Sequence, residues 1–336
     1  MRQLACPVCG NRVYFENFAC LSCGAALAFS ANEMAMKALA SEPAPHTCAN
    51  RSTMVCNWSS DDGAPICFSC RLDGVIPNLS MPGNSGRWRK IEQAKRRVIV
   101  DLLRLGLPIV TRAEDFARGL SFKFLSNELA LQPVLTGHND GVITLDIAEA
   151  DDSERENRRN AMGEPYRTLV GHFRHEIAHY YWSLMIEASS DIGGFRAIFG
   201  DERDDYDHAL KRHYDQGPPA DWNAHFISAY ASSHPWEDWA ETFAHFVHIV
   251  ATMDTAIDFR IAGAARPPIS DPYREPDFDA LIAAFLPVTQ GVNEINRSMG
   301  LPDIYPFVLT PDAIGKLHFV HMIVRKAAAL QKTEAA

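Results

Sequence analysis

The sequence lacks three features that would each point to a different class of protein. It contains no run of 18 apolar residues, which argues against a membrane-spanning helix. Its N-terminus, MRQLACPVCG, has no apolar stretch typical of a secretory leader. Basic residues are outnumbered, with 32 Lys and Arg against 42 Asp and Glu, and this net charge of −10 disfavours a general nucleic-acid binder. We therefore expect a cytoplasmic protein that acts neither in the membrane nor on nucleic acid.

Cysteine is absent after residue 70, and eight cysteines precede that point. Disulfides would be unexpected in a reducing compartment, and the Cys-x2-Cys spacing favours zinc, although interleaved pairing or an iron site stays open. The segments 6-CPVCG-10 and 20-CLSCG-24 predict one site built from two knuckles. The second site is looser, with 67-CFSC-70 as its knuckle and His46 as an alternative ligand. The predicted ligands are Cys6, Cys9, Cys20 and Cys23 for one structural zinc and Cys48, Cys56, Cys67 and Cys70 for the other.

The composition predicts a small metal-folded segment followed by a larger domain. Residues 1–80 hold few large aliphatic side chains, whereas structural zinc contributes on the order of 10 kcal/mol to folding. We predict a tandem zinc-ribbon segment at 1–80, a linker at 81–86 and the main domain at 87–330. The stretch 87-RWRKIEQAKRR-97 starts a helix running to about Leu105. Its basic residues are interpreted as a solvated face, with a patch for RNA or an acidic partner as the alternative.

Local patterns after the linker predict a small sheet and several helices. The segments 121-SFKFLS-126 and 142-VITLDI-147 alternate as strands do, and the turn signal Asn139-Asp140-Gly141 precedes the second. The charged run 149–159 is interpreted as a solvated loop or a helix start. Helical apolar spacing appears again at 278–286 and 314–324.

The stretch 172-HFRHEIAHYYW-182 contains the spacing H-E-x-x-H. Apolar residues at steps of three and four predict an amphipathic helix of about five turns that Pro165 would open. Residues four apart share one face of a helix, so His175 and His179 can both reach one zinc ion. Glu176 lies one position round, where it can touch a water on the metal without ligating it. The alternative is an ordinary surface helix.

A catalytic zinc needs a third protein ligand, and the segment 234-HPWEDWAETFAHF-246 offers candidates. Pro235 opens a predicted helix on which Glu237 and Glu241 share one face. Two carboxylates so placed repel each other unless a positive charge lies nearby, which a metal would supply. Glu237 could instead simply stabilise the N-terminal dipole of the helix. The less favoured ligands are His234, His245 and His248.

These motifs carry a resemblance to known metallopeptidases. The order 175-HEIAH-179 then 237-EDWAE-241, with Tyr230 ahead of Glu237, resembles gluzincin-type peptidases, and the tyrosine spacing is similar to that of lethal-factor-like peptidases. From Cys6 to about Ala256, the chain resembles more closely a family of zinc-binding metallopeptidases with an N-terminal zinc-ribbon segment. This resemblance implies an α+β fold: a mainly helical, zincin-like domain with a small sheet, preceded by the Cys-rich segment.

The resemblance also implies roles for particular residues. His175, His179 and Glu237 would bind a catalytic zinc, Glu176 would be the general base for water, and Glu241 would orient a histidine ligand. Tyr230 would donate to the oxyanion, and the strand 142–147 would be the edge strand that receives an extended peptide. The tyrosines that compete with Tyr230 are Tyr166, Tyr180, Tyr181 and Tyr206.

The predicted function is zinc-dependent peptide hydrolysis of a peptide or protein substrate, with one catalytic and two structural zinc ions. Two alternatives stay open. One is a protein-binding module that works through its ribbons and keeps a non-proteolytic metal site, and the other is a different metal-assisted hydrolase. Glu176 favours an enzyme over the first alternative, because a purely structural metal has no use for a carboxylate beside its open position.

Overall fold

The computed structural model describes residues 2–39, 46–53, 55–127, 134, 136–156, 168–261 and 269–334. The predicted α+β class is confirmed, because long helices predominate and the strands form small sheets. The chain forms two compact units, one of Met1–Val100 with Ile109–Arg155 and one of Asp101–Pro108 with Glu156–Ala336. Within the described part of the chain, none of the helices combines the length and apolar character that crossing a bilayer requires.

The first unit begins with two small antiparallel hairpins. Strand β1 (Leu4–Ala5) pairs with β2 (Arg12–Val13), and β3 (Leu27–Ser30) pairs with β4 (Ala35–Ala38). These short strands bury little apolar area, and a cluster of three buried aromatic side chains packs in this part of the unit. Its ring centroids lie 4.8 to 6.3 Å apart, and its members are Phe15, Phe29 and Trp58.

A short helix α1 (Phe68–Arg71) leads into a four-stranded sheet. Its strands are β5 (Asp73–Val75), β6 (Ser121–Leu125), β7 (Gly137–Asn139) and β8 (Val142–Asp146), in the order β5-β6-β8-β7. The two strands predicted from alternation are therefore present. The β7–β8 turn also has the predicted form. Asp140 and Gly141 both have positive φ, at 44° and 78°, as a tight two-residue hairpin turn requires.

The prediction that strand 142–147 lies at an edge of the sheet is wrong. Strand β8 pairs with β6 in parallel along Val142–Asp146 and with β7 in antiparallel fashion over Val142–Thr144. Both of its sides are thus used over those residues, and the described edges of the sheet are β5 and β7. The alternation shows that one face of a strand is buried but says nothing about its neighbours, which is why the position in the sheet was not predictable.

The compact units also divide elsewhere than at the predicted linker. Helix α2 (Asn84–Leu105) begins inside 81–86. Strand β5, from the predicted ribbon segment, pairs in parallel with β6 from the predicted main domain. This pairing makes the sheet part of the unit that holds the cysteines.

The basic stretch on α2 is not a uniformly solvated face. Lys95 and Arg96 are buried, at 0% and 2% exposure. Arg87 and Arg97 form ion pairs with Asp151 and Glu16 in the same unit. Only Arg89 and Lys90 of the six basic residues are exposed. The prediction of a solvated face was wrong for Lys95 and Arg96, because a helix can bury cations when carboxylates lie opposite them.

The second unit is helical in its described residues, apart from loops. The predicted helices at 278–286 and 314–324 are present within longer ones. The helices are α3 (Leu169–Met185), α4 (Ile192–Phe199), α5 (Tyr206–Gln216), α6 (Trp222–His225), α7 (Pro235–Asp258), α8 (Phe278–Ser298) and α9 (Pro311–Glu334). Helices α3, α8 and α9 all pack on α7.

A buried ion pair ties α9 to α7. Nζ of Lys316 lies 2.6 Å from Oδ2 of Asp238, and the two side chains are 8% and 0% exposed. Nζ also donates to the carbonyl oxygen of His225 at 2.8 Å. Burial raises the pKa of Asp238 to about 7, and Lys316 opposes that rise. Removing the cation would therefore leave a buried carboxyl group without its compensating charge.

We predict that Lys316→Met lowers the free energy of unfolding by about 3–5 kcal/mol, because it leaves the buried carboxylate of Asp238 without its cation. Lys326→Met on the same helix is the matched control. Lys326 is 49% exposed and pairs with Asp191, so its loss should cost less than about 1 kcal/mol. Urea denaturation followed by circular dichroism measures both variants. Equal losses in the two would show that the Asp238 pair contributes no more than a surface pair.

Candidate metal centres

Helix α3 places the two motif histidines one turn apart. The helix begins at Leu169, where the Thr168 side chain accepts a hydrogen bond from the backbone N–H of Gly171. Pro165, the predicted opening residue, lies outside the described residues. The imidazole centroids of His175 and His179 are 5.0 Å apart. The 3.6-residue period therefore gives them a common face, as the spacing predicted.

Helix α7 brings a carboxylate to that face. It begins at Pro235, and Nδ1 of His234 caps it by accepting from the N–H of Trp236 at 3.1 Å. The Trp239 indole then donates to the carbonyl oxygen of Ala178 at 2.9 Å, which fixes the register of α7 against α3. In this register Glu237, in the first turn of α7, faces both histidines.

Three candidate ligands converge at this point. Nε2 of His179 lies 3.3 Å from Nε2 of His175. Oε2 of Glu237 lies 2.9 Å from Nε2 of His175, and Oε1 lies 3.5 Å from Nε2 of His179. One ligand atom from each residue falls within 4.8 Å of the others. Two imidazole nitrogens and one carboxylate oxygen form a donor set that zinc accepts while keeping a position open.

Glu241 fixes the orientation of His175. Its Oε1 lies 2.8 Å from Nδ1 of His175, and its Oε2 accepts from the Ser228 hydroxyl at 2.7 Å. A proton held on Nδ1 by the carboxylate leaves the lone pair on Nε2, the nitrogen that faces Glu237. The arrangement therefore prepares His175 to ligate a metal.

The residues present fit a cation. Oε2 of Glu237 is buried and receives no hydrogen bond of good geometry within the described part of the chain. Burial lowers the pKa of His175, but the neighbouring carboxylates of Glu237 and Glu241 outweigh burial and hold that pKa well above its usual value. The site thus attracts positive charge, and Oε2 of Glu237, 2.9 Å from Nε2 of His175, lies where both atoms could bind one cation.

Glu176 lies beside the cluster without joining it. The side chain is buried, and its Oε1 lies 3.1 Å from Nε2 of His172. Burial raises the pKa of Glu176, but the hydrogen bond and charge of His172, together with the charges of His175 and His179, lower it overall. Sequence reasoning missed His172, although its place four residues before Glu176 on the helix was a usable signal.

Two tyrosines lie close to the candidate ligands. The Tyr230 ring centroid is 5.9 Å from that of His175. The Tyr206 hydroxyl, on α5, donates to Oε1 of Glu237 at 2.6 Å. Tyr181 donates instead to the carbonyl oxygen of Pro108, and Tyr180 packs on Tyr181. Tyr166 lies outside the described residues, and among the described tyrosines of that set Tyr206 and Tyr230 are the two at the site.

The three less favoured histidines are absent from the cluster. His234 caps α7, and its Nε2 lies 3.0 Å from the carbonyl oxygen of Asp204. Nδ1 of His245 lies 2.9 Å from the Tyr305 hydroxyl, and burial lowers the pKa of His245 to about 4. His248 contacts Arg174 on α3 and is buried. These side chains cap or pack.

The eight cysteines form the two predicted quartets. None of them is in a disulfide. Sγ atoms from opposite pairs lie 3.7 Å apart in the first quartet, where Gly10 and Gly24 close the knuckles with positive φ. In the second quartet Cys56 and Cys67 are 3.6 Å apart. Four thiolates around zinc, with Zn–S of about 2.3 Å, would be separated by roughly 3.8 Å, so both quartets fit the ion. His46 joins neither group.

Comparison with known proteins identifies the family of the chain. A family described as "Putative zinc-binding metallo-peptidase" matches residues 84–323, and a "zinc-ribbon domain" matches residues 3–81. The chain belongs to this metallopeptidase family. Relatives named only as uncharacterized proteins of Mycobacterium tuberculosis and Mycobacterium bovis are 46% identical over 332 residues, covering 98% of this chain and 96% of theirs. No solved structure matches this chain at a significant level.

We predict that the protein binds three zinc ions per chain and that His179→Ala and Glu237→Ala each lower this to two, because each removes one converging ligand. Elemental analysis of the purified chain measures the count. His208→Ala is the control, since His208 is exposed and outside the cluster. A Glu237→Ala variant that retains its third zinc, beside a Glu241→Ala variant that loses it, would reverse the roles of the two glutamates.

Proposed function

We propose that the chain is a zinc-dependent peptidase of the gluzincin type, in which His175, His179 and Glu237 hold the catalytic zinc. The observation that carries this proposal is the convergence of the three ligand atoms beside a carboxylate, Glu176, that is not one of them. Zinc bound there would polarise a peptide carbonyl and lower the pKa of a water molecule toward neutrality. The chain's own residues then have separate tasks.

Glu176 is the general base. It sits next to His175 in the sequence but points one position round the helix, so it can accept the proton of the attacking water without ligating the metal. His172 holds its Oε1 at 3.1 Å, which keeps one carboxylate oxygen oriented while the other is available. Glu241 holds His175 through Nδ1 and leaves Nε2 for the metal.

The tyrosines divide two further tasks. Tyr206 orients the ligand Glu237 through a 2.6 Å hydrogen bond. The Tyr230 ring lies tilted beside that of His175, with centroids 5.9 Å apart, and its hydroxyl would donate to the oxyanion formed from a substrate carbonyl. A different metal-assisted hydrolase would use the same ligands, and a peptide bond is favoured because the family is one of metallopeptidases.

The ribbons suit a second task in the same protein, which is binding of a protein partner or substrate. Val8 and Leu21, at the two knuckle tips of the first quartet, are 61% and 96% exposed. Exposed aliphatic side chains at such tips favour an apolar protein contact over nucleic acid. This is also the observation that favours the alternative of a ribbon-centred binding module. Thiols that must stay reduced to ligate zinc suit the cytoplasm.

Glu176→Gln should lower kcat/KM for peptide hydrolysis by about 10²–10⁴, because the attacking water loses its proton acceptor, while the zinc count stays unchanged. Hydrolysis is followed with a mixed library of quenched fluorescent peptides and zinc by elemental analysis. Glu187→Gln, which alters an exposed carboxylate just after α3, is the matched control. Hydrolysis that survives Glu176→Gln with zinc bound would rule out the general-base role.

The two tyrosines should differ in what their loss affects. Tyr230→Phe should lower kcat by about 10²–10³ with zinc retained, because an oxyanion donor acts only in the transition state. Tyr206→Phe should instead weaken zinc binding by about 10–100-fold, because Glu237 loses its orienting hydrogen bond. Chelator competition measures the zinc affinity and peptide cleavage measures kcat. A loss of kcat in Tyr206→Phe with zinc affinity intact would move the oxyanion role to Tyr206.

A further inference from the structure

The turn that carries Tyr230 lies beside the candidate catalytic centre. Residues Tyr230–Ser233 form a short 3-10 helix just before α7, and this turn packs on α5 and α7. The Tyr230 ring is close to two imidazoles, with its centroid 5.9 Å from that of His175 and 6.0 Å from that of His213. The position of the turn therefore decides where Tyr230 stands relative to a candidate metal ligand.

One buried hydroxyl connects the turn to that centre. Ser228 is 7% exposed, and its Oγ accepts a hydrogen bond from the backbone N–H of Ala231 at 3.1 Å. The same hydroxyl donates to Oε2 of Glu241 at 2.7 Å. A serine hydroxyl has a single proton to donate, and here that proton goes to the carboxylate. Ser228 thus bonds the backbone of the turn and a side chain of α7 at the same time.

The carboxylate of Glu241 continues this connection to the metal position. Its Oε1 lies 2.8 Å from Nδ1 of His175, and Nε2 of the same ring lies 2.9 Å from Oε2 of Glu237. One oxygen of Glu241 is therefore used by the serine and the other by the imidazole. Three successive contacts of 3.1, 2.7 and 2.8 Å join the backbone of the turn to the ring that faces the metal position.

A second serine of the turn makes no such connection. The Ser232 hydroxyl donates to the carbonyl oxygen of Ala229 at 2.6 Å, a bond between neighbouring residues of the turn. Loss of this hydroxyl would affect the turn alone. Loss of the Ser228 hydroxyl would release both the turn and Glu241, so the two serines form a matched pair.

Hydrogen bonds behind a histidine ligand hold its ring in the tautomer and orientation that ligation requires, and their loss typically weakens metal binding by about 10–100-fold. Coupling of this kind is reciprocal. If the bonds made by the turn favour metal binding, the metal favours the same bonds by the same factor. A metal on Nε2 of His175 should therefore order the turn as well.

We propose that Ser228 couples metal occupancy to the order of the Tyr230 turn, so that zinc bound at the candidate catalytic centre also fixes the residue that donates to the oxyanion. Ser228 is a positioning residue, because it acts through Glu241. This coupling rests on the proposed function, from which it takes the ligand set and the role of Tyr230. It adds that the oxyanion donor is held in place only in the zinc-loaded chain.

The first test compares zinc affinity in full-length chains carrying Ser228→Ala or Ser232→Ala. Ser228→Ala should weaken zinc binding at the third site by about 10–100-fold, whereas Ser232→Ala should leave it unchanged. Chelator competition measures the affinity, and His179→Ala gives the level at which only the four-cysteine sites hold zinc. Ser228→Thr keeps a hydroxyl and should keep the affinity of the parent chain.

The second test measures the turn itself by hydrogen–deuterium exchange and mass spectrometry of the segment 229–233. Saturating zinc should slow amide exchange there in the parent chain and in Ser232→Ala, but not in Ser228→Ala. A general loss of stability would raise exchange with and without zinc alike, so the effect of zinc separates coupling from destabilisation. Neither readout requires peptide hydrolysis.

The coupling is overturned if zinc slows exchange in Ser228→Ala as much as in the parent chain, or if Ser228→Ala and Ser232→Ala bind zinc equally well. If Ser228→Ala does not fold, the parent chain still decides, because exchange of the turn that does not respond to zinc would also overturn it. Absence of peptide hydrolysis would remove the proposed function and leave both readouts intact. A zinc count that does not depend on His179 would remove both proposals.

Discussion

The packing of α3 on α7 is the constraint on which the candidate catalytic centre depends. The two histidines come from one helix and the carboxylate from the other, so a shift of one turn, about 5.4 Å, would separate Glu237 from both nitrogens. The hydrogen bond from the Trp239 indole to the carbonyl oxygen of Ala178 prevents such a shift. It also satisfies a buried indole N–H, which makes the correct register the favourable one.

Both compact units solve the same electrostatic problem, which is how to keep charged metal ligands out of water. In the second unit, Glu237 and Glu241 share His175, one through each of its ring nitrogens. In the first unit, buried Lys95 on α2 contacts Asp73 and Glu92, whose carboxylate oxygens lie within 4.8 Å of the Cys70 thiol. In each case the opposite charge is delivered by a neighbouring element. The ligands are therefore only part of each site, and the residues behind them decide whether the site can be buried.

Local spacing made much of the chain predictable from its sequence. His175 and His179 had to share a face, and Cys-x2-Cys pairs had to form knuckles, because helix and turn geometry act over a few residues. The contacts of Tyr206 with Glu237 and of Ser228 with Glu241 could not be predicted, because they join elements 31 and 13 residues apart. The burial of Arg96 was missed for the same reason: a charge run does not reveal what lies opposite.

The i,i+4 spacing has different uses on the two helices, and this follows from the chemistry of imidazole. On α3 it presents two nitrogens to one point. On α7 the same spacing does not bring both carboxylates to the metal position, because each one faces a different nitrogen of His175. Glu237 lies 2.9 Å from Nε2 and Glu241 lies 2.8 Å from Nδ1. Glu241 also accepts from Ser228, which leaves it turned toward Nδ1. One carboxylate is thus free to face the metal position while the other fixes the ring, and neither can exchange its role without turning His175.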